Sequence, residues 1–375
     1  MSDLERFREL FPITRNRVYM NHAAIGPLPT TAVNRISAVA HSIAMTGDDG
    51  WYGRIGEIGR VRGLAARLLH AREEHEVGFV ANTSDGLSII SAGLDWREGD
   101  TVVGANCEFP SNAYPWMRLS NHGVTFRMAE ERDGRVDFDD LVALVDDHTR
   151  VVALSWVQFG SGFRSDLERI GRYCRERDIL FVVDGIQGLG VLPIDVERDH
   201  VDVLAASAHK WLCGSEGIGL LYISDRVIDR LDPVKVGWTS TKDWLKFGGF
   251  DLTYRDGAER FECGTMNPFG IAALGSSLEI LHEAGEVAIE RQVRILTELI
   301  VSGLIDRGYR VISSRADKEW SAIVTATHPD RNPNELLQKL KERGIAVAVR
   351  AGRVRISPHF YNTVDEVDQL LAAMS

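Results

Sequence analysis

The sequence predicts an α/β fold in which a mostly parallel central sheet is sandwiched by helices and followed by a smaller α+β C-terminal lobe. Three observations carry that expectation. Between residues 77 and 223, short apolar runs alternate with stretches of helical period, which is the pattern of β-α-β units whose parallel strands are covered on both faces. Polar residues cluster just beyond the ends of several of these runs, where open parallel sheets bind their ligands. After a long helical stretch at 285–307 the pattern resets to short strands and helices, and 375 residues are enough for a large domain plus a second lobe.

Composition narrows the partners. A net charge of −11 and a pI near 5.5 argue against nucleic acid, which asks for a basic surface to displace counterions. With 44% hydrophobic and 26% charged residues the chain has material for a large core, and no apolar run approaches the roughly eighteen residues of a membrane span. The cysteines Cys107, Cys174, Cys213 and Cys263 lie far apart without metal-ligand spacing, so no metal is expected. The charged N-terminus lacks an apolar signal segment, which makes a reducing cytoplasm the expected location.

Taken in order, residues 3–10 read as a short amphipathic helix, and Val18 to Pro29 as an extended piece broken by Gly and Pro. Helical periodicity covers 30–46 and 54–71, interrupted at 47–50. A strand at 77–80 leads through Asn82-Thr83-Ser84 into an apolar stretch; hydroxyls and free N–H groups at a helix start suit a phosphate, or simply cap the helix. Strands at 101–104 and 124–128 flank an aromatic, proline-rich loop in which Phe109 is either core or a ring that stacks on a flat cofactor. Helices at 139–147 and 165–177 alternate with strands at 151–156 and 179–183, then come strands at 203–205 and 218–223 and a helix at 225–232. A helix begins near 269. In the last part, helices at 285–307, 333–343 and 364–374 mix with strands at 309–313, 321–326, 345–349 and 353–357. The expected division is an N-terminal segment 1–30 contributing to the site and the small lobe, a large domain 31–280, and a small domain 281–375.

Three polar groups fall at expected carboxyl ends of strands: Ser155 to Gln158, Asp184 to Gln187, and Ser207 to Lys210. A lysine set among small residues and a carboxylate delivered by a buried strand 26 residues earlier suggest pyridoxal 5'-phosphate (PLP). Lys210 would hold the aldehyde as a Schiff base, and Asp184 would keep the pyridine nitrogen protonated so that the ring accepts carbanion electrons.

Seven motifs together resemble the class V aminotransferase family of fold-type I PLP enzymes, which includes cysteine desulfurases, selenocysteine lyases, kynureninases and isopenicillin N epimerase-like proteins. They are Tyr19 to Ala24, Asn82-Thr83-Ser84, Glu108 to Asn112, Asp184 to Gln187, Ser207 to Lys210, Glu262 to Thr265, and Arg355 to Thr363. The resemblance spans essentially the whole chain. It implies a fold-type I PLP-transferase fold, Lys210 as cofactor lysine and proton shuttle, Asp184 on the pyridine nitrogen, Gln187 near the cofactor's phenolic oxygen, and Phe109 at the ring-stacking position. It also implies that Thr83, Ser84, Ser207 and His209 hold the phosphate, and that Thr265 reaches the neighbouring subunit's cofactor in a homodimer. Arg355 would bind the α-carboxylate of a small amino-acid substrate, with Asn21, His22 and Ala23 beside it.

The family's desulfurases carry a nucleophilic cysteine on a mobile loop ahead of that arginine, whereas Ala346 to Arg355 contains none and is short. The resulting expectation is an aminotransferase-like enzyme rather than a persulfide-forming cysteine desulfurase. A β-eliminating C–S or C–Se lyase or an epimerase is the alternative, and a non-catalytic PLP-binding protein is less favoured.

Overall fold

The computed structural model describes residues 4–374. The chain enters through a 3-10 turn at Glu5–Leu10 and a two-residue strand, β1 (Val18–Tyr19). Residue 3 of the expected first helix lies outside the described residues, and Pro12 after Phe11 prevents an α-helix from continuing. Helices α1 (Thr30–Thr46) and α2 (Trp51–Leu69) follow, separated at Gly47, whose φ of 59° ends the first.

The large domain then alternates as expected: β2 (Val77–Val80), α3 (Thr83–Gly93), β3 (Thr101–Ala105), α4 (Tyr114–Met117), β4 (Thr125–Ala129), α5 (Phe138–Val142), β5 (Thr149–Ser155), α6 (Leu167–Arg175), β6 (Leu180–Asp184), β7 (Val203–Ser207) and β8 (Gly219–Ile223). The expected helix at 225–232 is only a 3-10 turn at Ile228–Arg230, because Asp232 precedes Pro233 and is steered out of helical geometry. The seven strands pair in the order β2-β8-β7-β6-β5-β3-β4, and β8 alone runs antiparallel to its neighbours. Side chains alternate along each strand, so β6 sends Phe181 and Val183 into the core on one face and Leu180 and Val182 into the core on the other. Burial on both faces explains why these strands read as continuous apolar runs.

The remainder comprises α7 (Pro268–Ala284), α8 (Glu286–Ile305), β9 (Arg310–Val311), β10 (Val324–Thr327), α9 (Pro333–Glu342), β11 (Ile345–Ala346), β12 (Ala348–Arg350), β13 (Arg353–Ile356) and α10 (Val364–Ala373). A four-stranded sheet orders them β12-β13-β10-β9. The expected single strand at 345–349 is divided, since β11 pairs in parallel with β1 while β12 turns back on β13. The N-terminal segment therefore shares the core of this lobe, with Val18 and Met20 packed among Leu296, Val354 and Leu370.

Candidate active site

The registers of β5, β6 and β7 align Ser155 with Asp184 and Asp184 with Ala205, so the three polar groups leave the sheet side by side at its carboxyl edge. A cavity of about 370 Å³ opens there, between that edge and the hairpin of the small lobe. Lys210 and Asp184 both line it.

Lys210 is 9% exposed, with Nζ 5.6 Å from the centre of the Phe109 ring. Burial lowers its affinity for a proton; Asp184 works against that, and Arg355 and Arg350 reinforce it. The lysine is therefore neutral at a lower pH than a surface amine. Asp184 is buried, and burial pushes its carboxyl up, opposed by the Ile186 N–H donated to Oδ1 at 3.0 Å and assisted by the nearby Glu108 charge. A buried carboxylate strained in this way suits a cationic ring nitrogen, which would restore its charge.

The phosphate end expected from the sequence is built from both sides of the sheet edge. Thr83 donates its N–H to Ser207 Oγ at 2.7 Å, and Ser207 returns its own N–H to Thr83 Oγ1 at 2.9 Å. This reciprocal clasp fixes the start of α3, capped by Asn82, against the end of β7. Ser84 bonds Ser111 at 2.7 Å, and all four hydroxyl residues line the cavity together with His209. Burial and then Lys210 lower the His209 pKa, which favours a neutral ring. Hydroxyls at the N-terminus of an eleven-residue helix form an anion cradle, so these residues fit PLP's phosphate.

On the opposite side Arg355 reaches in from β13. It is 1% exposed, donates Nη1–H to the Phe159 carbonyl at 2.9 Å, and leaves Nε without a partner. Burial, followed by the Arg350 charge, lowers its pKa to about 10. A buried guanidinium without a carboxylate is costly, and a substrate carboxylate is its natural complement. Phe109 stands edge-on to Phe159, ring centres 5.2 Å apart. Gln187 also lines the cavity, but its amide is engaged: Nε2–H donates to the Ala23 carbonyl and Oε1 accepts from Trp211 Nε1, both at 3.0 Å.

Three expected residues lie elsewhere. His22 is fully buried; Nδ1 donates to the Ser357 carbonyl at 3.0 Å, which leaves Nε2 to accept from the Tyr361 hydroxyl at 2.5 Å. Asn21 bridges to Ser357, with Oδ1 unpartnered, while Ala23 alone of this trio reaches the cavity wall. Thr265 sits in a separate apolar cleft with Trp51, Trp238 and Trp244.

Two contributors had no role in the sequence reading. Glu108 is a buried hub that accepts from the Ser155 N–H at 2.9 Å and hydroxyl at 2.5 Å, from Gln158 at 2.7 Å and from Asn112 at 2.9 Å. Its place just past β3, at the same sheet edge as Asp184, was the available signal. Arg350 lines the cavity from the hairpin, on a face decided only by the register of β12 on β13.

Residues 54–370 match the family described as Aminotransferase class-V. A probable cysteine desulfurase of Methanothermobacter thermautotrophicus is 28% identical over 98% of this chain and 96% of its own. Among solved structures, the cysteine desulfurase of Thermococcus onnurineus superposes with a TM-score of 0.88 at 26% identity, covering 99% of this chain and 96% of that one. The cystine C-S lyase C-DES, in complex with its product cysteine persulfide, gives 0.89 at 25% identity over 96% of this chain and 98% of its own. A variant of C-DES carries glycine covalently linked to the PLP cofactor.

These likenesses overturn the expectation of an aminotransferase that is not a cysteine desulfurase. The missing cysteine concerns one short hairpin, whereas the similarity to desulfurases extends over nearly every residue. The fold is that of fold-type I PLP enzymes, the cofactor is PLP and the protein is a PLP-dependent enzyme. The chain belongs to the class-V aminotransferase family.

Proposed function

We propose that this enzyme cleaves the carbon–sulfur bond of a cysteine-type amino acid, either cysteine itself or cystine. The supporting observation is the convergence of Lys210, Asp184 and Arg355 on one cavity, in a chain whose full length resembles cysteine desulfurases and a cystine C-S lyase. When bound, PLP supplies an aldehyde for amines and a ring that accepts electron density from the substrate's α-carbon.

The protein's own groups do the rest. Arg355 takes the α-carboxylate through its unpartnered Nε and an adjacent N–H, which fixes the substrate's orientation. Lys210, whose proton affinity burial lowers, withdraws the α-proton and returns it later in the cycle. Asp184 holds a proton at the ring nitrogen, and Thr83, Ser84, Ser207 and His209 anchor the phosphate. Phe109, on the cavity wall, would pack against the ring. Gln187, clamped between Ala23 and Trp211, keeps one amide N–H that would be available to the cofactor's phenolic oxygen.

A homodimer completes this reading. Phe247 is exposed beside the ring cluster of Trp51, Trp238 and Trp244, its ring centre 5.9 Å from that of Trp238, and exposed aromatic surface at the rim of an apolar cleft suits a protein contact. Thr265 lines the cleft under that patch and would reach the partner's cofactor. The four unpaired cysteines accord with a cytoplasmic location.

The test is to incubate the PLP-loaded protein with L-cysteine and with L-cystine, each with and without a reducing thiol. Alanine, pyruvate, sulfide and persulfide are then measured. Sulfur release matched by alanine or pyruvate is expected. Accumulation of pyridoxamine phosphate with no sulfur released would refute the reading.

A further inference from the structure

Resting on the reading that this cavity takes a sulfur-containing amino acid, we propose that Arg350 is a second anion-binding residue. The preferred substrate then carries a negative group at the far end of its side chain as well as its α-carboxylate.

The hairpin register supplies the geometry. β12 pairs with β13 as Ala348 with Arg355, Val349 with Val354 and Arg350 with Arg353. Directly opposed residues share a face and side chains alternate along a strand, so Ala348, Arg350, Arg353 and Arg355 all project to one side. Arg350 and Arg355 are diagonal neighbours, with Cα atoms roughly 7–8 Å apart, and both line the cavity.

Like charges so placed repel each other, and Arg350 lowers the proton affinity of both Arg355 and Lys210. Arg353, on the same face, is answered by Glu131 at 3.5 Å. Arg350 has no carboxylate within ion-pair distance among the described residues; its Nη1–H donates to the carbonyl of its own neighbour Val349 at 2.8 Å. Among the described residues the only carboxylate on the cavity wall, Asp184, belongs to the opposite domain and bonds Ile186. The turn after Arg350 is tight, with Ala351 at φ 47° and Gly352 at φ 72°, which holds the arginine at the rim. Arg355 is buried and Arg350 exposed, so a substrate bound by its α-carboxylate extends its side chain outward toward the second guanidinium. An S-substituted cysteine ending in a carboxylate, cystine included, has that shape and charge.

The test compares two isosteres on the PLP-loaded protein by calorimetric titration: S-carboxymethyl-L-cysteine, which is anionic at its end, and S-carbamoylmethyl-L-cysteine, which is neutral there. The wild type should bind the anionic one about tenfold more tightly at low salt. That preference should shrink as salt is added, because Arg350 faces solvent. Arg350→Gln should bring the ratio near one, Arg350→Lys should keep an intermediate ratio, and Arg355→Gln should weaken both isosteres alike. A wild-type ratio near one, or an Arg350→Gln variant that weakens both in equal proportion, would overturn the proposal. The PLP is first fixed to Lys210 by borohydride, so binding is read without turnover. A protein that discriminates the isosteres yet releases no sulfur from cysteine or cystine would therefore defeat the proposed reaction and leave the role of Arg350 standing.

Discussion

At the scale of single residues, the site is a set of charges whose affinities are set by burial. Lys210 is displaced downward from the ordinary lysine value of 10.5, so the apo-protein should take up PLP at a rate that rises with pH and levels off well below that value. Asp184 stabilises the ammonium form, so Asp184→Asn should move the profile to lower pH. Arg355 destabilises it, so Arg355→Gln should move the profile to higher pH; the rate at which cofactor absorbance changes on mixing apo-protein with PLP, followed against pH, reads both shifts. The same Arg355→Gln variant should raise KM by about thirtyfold, near 2 kcal/mol of lost charged hydrogen bonding. A KM unchanged in steady-state assays would remove Arg355 from the substrate. Lys210 and Asp184 were legible in the sequence because each follows an apolar run that could only be a buried strand. Arg350 was not: its face is decided by the two-residue turn at Ala351-Gly352, and a change of register by one residue would point it away.

At the scale of elements, the cavity depends on loops held by long-range contacts. Gly26 donates its N–H to the His209 carbonyl at 2.7 Å, and a Cβ at Gly26 would meet the Lys210 carbonyl oxygen at 2.0 Å. Gly26→Ala must therefore displace backbone on one side or the other; it should cost about 2 kcal/mol by chemical denaturation and slow PLP loading. Glu108 ties the loop after β3 to the end of β5 through four donors, so Glu108→Gln sets an amide N–H₂ against N–H groups and should cost about 2–3 kcal/mol. An undiminished denaturation midpoint would show the hub to be dispensable. The strands of the large domain were readable from their apolar runs, but these clasps were not. Gly26 and Lys210 are far apart in sequence, and no local pattern marks a carbonyl packed on a glycine. The small lobe was read less well for a related reason: its strands are two to four residues long, and partners in two different sheets divide the run at 345–350.

At the scale of the whole molecule, the N-terminal segment joins the two lobes across the cavity. β1 pairs with β11, His22 and Ala23 bond Ser357, and Gln187 of the large domain donates to the Ala23 carbonyl. His359 completes the bridge from the small lobe by bonding the Trp211 carbonyl, next to Lys210, at 2.9 Å. If the aromatic patch is the dimer contact, Phe247→Asp should shift sedimentation from dimer to monomer and lower PLP retention through loss of Thr265's partner; a dimer that persists with full retention would exclude that surface. The central claim is that one buried amine, at the carboxyl edge of the sheet, carries the cofactor. Lys210 is the one buried lysine among the described residues; Lys235, Lys242, Lys246, Lys318, Lys339 and Lys341 are exposed. The most direct measurement is borohydride reduction of the PLP-loaded protein followed by peptide mass spectrometry. The account predicts one pyridoxyl phosphate per chain, on the peptide containing Lys210, and a label on any other lysine, or none at all, would contradict it.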